Sequence, residues 1–248
     1  MKAAQARELG GRVARHLQRS DLAGAYALLA PVLAQRTPFR SLDLIGATLG
    51  SLEANLPPGT MNIFLDQVAA GGTMGGWVVI GNALGQRVDH DLAEALARCR
   101  AFIRAGDAWY AADILAERVP GPALVGRFPA ALAALSPWRD DANRWVRRAV
   151  GVAVHFWAKR SRGADPLAGQ ADSLLRFLEP MFGEWEMDAV KGVGWGLKTL
   201  GKHYPDLLAR WLAEVAPQQR RHRALMLRKA LTYLTPEQRA RALGGPSG

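Results

Sequence analysis

From end to end the chain reads as helix broken by short turns, and that succession limits the folds open to it. Residues 2–18 are amphipathic. Ser20-Asp21 caps a second helix that carries Tyr26 and reaches about Gln35. Thr37-Pro38 is a start signal, Thr as N-cap and Pro at the first helical position, for a helix to about Glu53. A loop at 55–59 precedes segments at 60–70 and 74–86, and Asp89 or Asp91 opens one through Arg104. Gly106-Asp107 starts the next, with Asp107 as N-cap, and Pro120-Gly121-Pro122 ends it. Segments 122–135, 141–159, 167–180, 186–202, 206–215, 218–233 and 236–243 follow, and 244–248 form a flexible tail. No strand is convincing, because Val78-Val79-Ile80 is short and lies inside a helical pattern.

Helices on short turns, with no long polar linker, predict one all-α domain over residues 1–243. Its architecture is expected to be a solenoid of stacked antiparallel helix pairs, and a compact orthogonal bundle competes with it. The 248 residues suffice for a substantial core. The single cysteine, Cys99, excludes an internal disulfide and a thiolate metal cage. His16, His90, His155, His203 and His222 show no ligand spacing, so neither a metal nor a cofactor is expected. The N-terminus lacks the apolar core of a signal peptide, and no uncharged apolar run reaches transmembrane length. These features point to a cytoplasmic protein.

Charge is uneven along the chain. Residues 139–248 carry 19 Lys and Arg against 11 Asp and Glu, whereas residues 1–138 carry 13 against 11. A basic half points to a polyanion, either nucleic acid or an acidic membrane surface, although Arg usage in a GC-rich genome gives the same balance. In segment 186–202, Val190, Val193, Leu197 and Leu200 form one stripe, and Lys191, Trp195, Lys198 and Lys202 form another. Lysines flanking a Trp would meet phosphates while the indole meets a sugar or base; equally, their stems would cover a half-buried Trp. Arg144 and Arg148 share a face of segment 141–159, with Trp145, Ala149, Val152, Ala153 and Phe156 inside. Arg220, Arg221, Arg223, Arg228 and Lys229 make a third cluster. Three such runs in successive helical hairpins would line one concave face.

Trp109 and Asp113 lie four residues apart and share a helix face, while Ala112, Leu115, Ala116 and Val119 supply the packed side. A lone Trp in a helix is usually core and a lone Asp usually a solvated charge. Together, an electron-rich ring face and a carboxylate suit a developing positive charge.

The chain resembles the HEAT-like-repeat DNA glycosylases of the AlkD-like alkylation-repair family. The matching pieces, in order, are Trp109-x-x-x-Asp113, Asn143-x-Trp145-x-x-Arg148 and Lys191-x-x-Gly194-Trp195-x-x-Lys198, with Thr37-Pro38 a weaker match. The resemblance spans roughly residues 20–235 and implies a HEAT-like (ARM-type) solenoid with a basic concave face. It also implies a monomeric glycosylase that excises cationic N3- or N7-alkylpurines from duplex DNA. Asp113 would be the catalytic carboxylate, Trp109 and Trp195 aromatic walls against the deoxyribose, and Arg148 a hold on the phosphate backbone. Arg144, Lys191, Lys198 and Lys202 would add phosphate contacts, and Tyr26 lies near a family aromatic that touches DNA. The chain departs from the family pattern at Ala108, where an aromatic is common, at Tyr110, where an acid stands, and at Lys198, where Arg is usual. Trp138, Trp157 and Trp185 receive no role. A non-catalytic solenoid of the same fold that binds distorted or branched DNA, and a helical-repeat scaffold for protein, remain as other readings.

Overall fold

Asp21, Thr73, Asp91, Asn143 and Thr235 each accept a hydrogen bond from a backbone N–H at a helix start, so these boundaries rest on short polar side chains. The computed structural model describes residues 1–215 and 221–244, and the chain divides into two compact units, Met1–Val119 and Pro120–Gly248. Helix is the regular structure throughout the described residues, with no strand among them.

In the first unit the helices are α1 (Ala3–Gln18), α2 (Leu22–Ala34), α3 (Phe39–Ser51), α4 (Thr60–Ala70), α5 (Met74–Gly85), α6 (Leu92–Gly106) and α7 (Trp109–Ala116). Odd-numbered helices pack in a row, α1 on α3, α3 on α5 and α5 on α7, while α2, α4 and α6 form the second layer. This alternation is that of stacked helix pairs, in which each hairpin buries its apolar face against its neighbours. The core runs through Val13, Leu17, Ile45, Leu49, Phe64, Ile80, Leu84 and Leu115, all fully buried.

The second unit repeats the plan with α8 (Pro120–Gly126), α9 (Phe128–Leu135), α10 (Arg144–Ser161), α11 (Ala168–Leu178), α12 (Met187–His203), α13 (Pro205–Val215), α14 (Arg221–Ala230) and α15 (Pro236–Ala242). Helices α8, α10, α12 and α14 stack in sequence, and α11, α13 and α15 lie behind them. Val190, Val193, Leu197 and Leu200 are buried, as are Trp145, Ala149, Val152 and Ala153; Phe156 is only half-buried.

Several expected boundaries move. Thr37 does not cap α3: its hydroxyl donates to the Val32 carbonyl at 2.8 Å, closing the end of α2, and Pro38 takes the cap position. Asp107 adopts the left-handed conformation (φ 36°) at the end of α6, and Ala108 precedes α7. Asp is one of the few residues that tolerate that conformation, so the side chain read as an N-cap serves as a C-terminal stop. Helix α7 ends at Ala116, before Pro120-Gly121-Pro122, and that tripeptide itself opens α8, since Pro fits a first helical turn. Segment 122–135 is two helices, divided at Arg127. Residues 216–220 and 245–248, including Arg220 and most of the predicted tail, lie outside the described residues, as do the side chains of Arg221 and Arg223.

Candidate functional site

The first unit presents Trp109, Asp113 and Tyr26. Helix α7 buries Ala111, Ala112, Ile114, Leu115 and Ala116, which turns Trp109 and Asp113 away from the core. Trp109 is 53% exposed, and Asp113, one turn on, is half-buried. Tyr110 meets the Trp109 ring edge-on, with centroids 5.8 Å apart. The short helix is fixed at both ends. At its start a Cβ on Gly106 would come within 2.6 Å of Ala111, so only glycine lets α6 end so close to α7. After its end, Arg118 crosses α5 over Gly81 and donates to Asp43 on α3 at 2.9 Å, while Asn82 donates to the same carboxylate at 2.7 Å. Arg118 also donates back to the Ile114 carbonyl, which ties that anchor to α7 itself. Tyr26 stands on α2 with its hydroxyl over Gly71, at the end of α4.

The second unit builds its surface on α10 and α12. Asn143 accepts from the N–H groups of Trp145 and Val146 and starts α10. Arg144 lies over the buried Trp145 ring, 4.8 Å from its centroid, and its guanidinium is 3.4 Å from the Asp188 carboxylate. Arg148 is buried and donates to the Asp188 carbonyl at 3.2 Å. Arg147 points elsewhere: it pairs with Glu184 at 2.6 Å and donates to the Asp141 carbonyl, stapling the start of α10 to the loop before α12. Burial, the largest influence on Glu184, raises its pKa. Hydrogen bonds from Arg147 and from the N–H groups of Glu186 and Trp185 outweigh it and leave the carboxyl below its ordinary value.

Trp195 faces away from the aliphatic stripe of α12 and stacks on His155 of α10, with centroids 3.9 Å apart and planes 24° from parallel. The His155 Nδ1 is 2.7 Å from the Thr199 hydroxyl, which donates its own proton to the Trp195 carbonyl at 3.0 Å. Thr199 therefore accepts from an Nδ1–H. Burial first, then the charge of Lys159, pushes the His155 pKa down to about 4, so the imidazole is neutral near pH 7. Sequence reasoning passed over His155. The available signal was its position seven residues after Arg148, on the same helix face.

Around this stack lies a field of cations. Lys191 and Lys202 are exposed and Lys198 half-buried; the Lys198 and Lys202 ammoniums sit 5.4 and 5.7 Å from the Tyr233 ring centre. Lys229 of α14 lays its stem on Gly194, where a Cβ would come within 2.6 Å of its Cδ. Its pKa is lowered by burial first, then by Lys198, Arg148, Lys191 and Arg228. Like charges gathered at the expense of one another's ionisation mark a place where an anion is stabilised. Among the described residues no group of His, Cys, Asp and Glu could hold a metal ion, and no helix is long and apolar enough to cross a membrane.

A sequence profile described as DNA alkylation repair enzyme matches residues 79–234, more than half of the chain. The chain belongs to the DNA alkylation repair enzyme family. That range holds Trp109, Asp113, Arg144, Arg148, His155, Lys191, Trp195, Lys198 and Lys202, and leaves Tyr26 outside. The all-α helical-repeat fold is shared with the Pseudomonas fluorescens alkylpurine DNA glycosylase AlkC, solved bound to DNA containing an abasic site analog. The similarity has a TM-score of 0.60 at 19% identity and covers 96% of this chain. The family member described here spans 65% of the AlkC chain. No curated protein sequence matches it.

Proposed function

We propose that this family member is a DNA glycosylase that removes cationic N3- or N7-alkylated purines from duplex DNA. What carries the reading is Trp109, 53% exposed one turn before Asp113 on the same side of α7. An indole that keeps a face in solvent beside a carboxylate is available to an enzyme that must stabilise a cation. Family membership and the cation field around Trp195 support the same reading.

An N-alkylated purine already carries positive charge and leaves without a general acid. As the glycosidic bond breaks, the sugar becomes an oxocarbenium ion. The Asp113 carboxylate stabilises that charge and orients the attacking water, Trp109 beside it adds cation–π attraction, and Trp195 of the second unit is assigned the same aromatic role. Arg144, Arg148, Lys191, Lys198 and Lys202 hold the backbone phosphates, and Tyr26 adds a further DNA contact. In this reading the chain acts as a monomer in the cytoplasm, and neither metal nor cofactor takes part.

The test is release of methylated purines from methylated duplex DNA. Asp113→Asn is expected to lower the single-turnover rate by two to three decades, about 3–4 kcal/mol, while affinity for the duplex stays. Equal release by variant and wild type removes Asp113 from the chemistry. Tight binding with no release by either makes the chain a non-catalytic binder of damaged or branched DNA.

A further inference from the structure

We infer that His155, held by Thr199, is a positioning residue that sets the Trp195 indole as one wall of the sugar-binding surface, an inference that rests on the glycosylase reading above. A half-exposed indole on a helix would sample several rotamers, and each misplacement weakens a short-range attraction. Here the freedom is removed by a closed ring of contacts. The Trp195 carbonyl accepts from Thr199, Thr199 accepts from His155, and the His155 ring lies flat on the Trp195 indole. A phenyl ring in place of His155 would stack but could spin; the Nδ1–H bond fixes the imidazole plane and through it the indole plane.

The backbone sets the register of this arrangement. Gly151 sits against Gly192 and Val193, and a Cβ on Gly196 would come within 2.7 Å of the Gly151 carbonyl. Glycine at these three positions lets α10 and α12 touch main chain to main chain, which brings residue 155, one turn past Gly151, level with residue 195. Charge matters as well as shape. A neutral imidazole behind the indole leaves its π electrons to the opposite face, where a cationic sugar would be met, whereas an imidazolium would compete for them.

The test compares binding of the full chain to two duplexes, one with a cationic pyrrolidine abasic analogue and one with neutral tetrahydrofuran. Wild type is expected to prefer the cation by about tenfold, as a transition-state mimic requires, and Trp195→Ala to lose that preference. His155→Ala should lose most of it, with affinity for undamaged duplex unchanged within about twofold. His155→Phe should restore part, Thr199→Val should lose part, and the double variant His155→Ala/Trp195→Ala should match Trp195→Ala alone. Retention of the full preference by His155→Ala, or a loss that adds to that of Trp195→Ala, overturns the inference. If wild type shows no preference, the glycosylase reading is what has failed. The positioning is then read from the Trp195 indole N–H resonance, expected to shift and broaden in His155→Ala; an unmoved resonance overturns it.

Discussion

Gly192 of α12 lies against the backbone of Arg148 on α10, so near that a Cβ there would come within 2.5 Å of the Arg148 carbonyl oxygen. The obstacle is main chain, which cannot swing aside as a side-chain tip would. Gly192→Ala must therefore push the two helices apart, and Arg148 and the His155–Trp195 stack depend on that spacing. Overpacking of this kind costs about 1–3 kcal/mol. The variant is expected to unfold earlier on heating and in urea, and an unchanged midpoint would mean that the helices have slack the glycines do not reveal.

Arg147 makes a second, independent prediction. It stands beside two basic residues proposed to meet DNA, yet its guanidinium is committed to both oxygens of the Glu184 carboxylate, the two side chains being 14% and 10% exposed. Removing one member of a buried pair strands the other, so Arg147→Met should destabilise the fold by about 3 kcal/mol in denaturant titration. Salt dependence of DNA binding by the folded variant should match wild type. Glu184, with its pKa below the ordinary carboxylate value, contributes stability that is present above about pH 4.5 and lost as pH falls below it. A salt dependence flattened by about one counterion, with no change in stability, would place Arg147 among the phosphate ligands after all.

His155 gives a pH signature in a different window. An unfolded histidine titrates near 6.5, and the folded one near 4. Between these values the unfolded chain binds more protons, so stability is fully present above about pH 6.5 and declines as pH falls toward 4. The loss is on the order of 2 kcal/mol, allowing for partial solvent screening. His203, lowered by burial first and then by Lys202, acts in the same direction. Urea titrations at pH 7.5, 6 and 5 should show falling stability for wild type and a shallower fall for His155→Phe. Parallel curves would mean that the imidazole binds its proton in the fold as it does in the unfolded chain.

The sequence made some of this legible and concealed the rest for physical reasons. The aliphatic stripe of Val190, Val193, Leu197 and Leu200 is a one-helix pattern, and its burial follows from helical spacing alone. Of Ser20-Asp21 it is Asp21 that caps α2, and of the alternatives Asp89 and Asp91 it is Asp91 that caps α6. Asp107 deceived because the short side chain that caps a helix start also tolerates the left-handed turn that ends one. The role of His155 lay deeper still. Its partners, Trp195 and Thr199, are about forty residues away, and nothing local to α10 records that three glycines bring two helices to van der Waals contact. Trp109 and Asp113 were visible together because a four-residue spacing on one helix needs no tertiary information.

Lys229 offers the sharpest electrostatic test. Its stem rests on Gly194 and its ammonium is crowded by Lys198, Arg148, Lys191 and Arg228, which lower its pKa after burial has already done so. Lys229→Met keeps the stem and removes the charge. In the free protein this relieves like-charge repulsion, so thermal stability should hold or rise by a fraction of a kcal/mol, on the order of 0.5. In the complex a phosphate contact is lost. The slope of log affinity against log salt for an undamaged duplex should then flatten by about one counterion, as it should for Arg148→Ala. Anisotropy titrations at several salt concentrations measure both slopes. A variant with gained stability and an unaltered slope would mean that the crowded ammonium never meets DNA, and that the phosphate path runs instead along Lys191 and Lys202 on the exposed edge of α12.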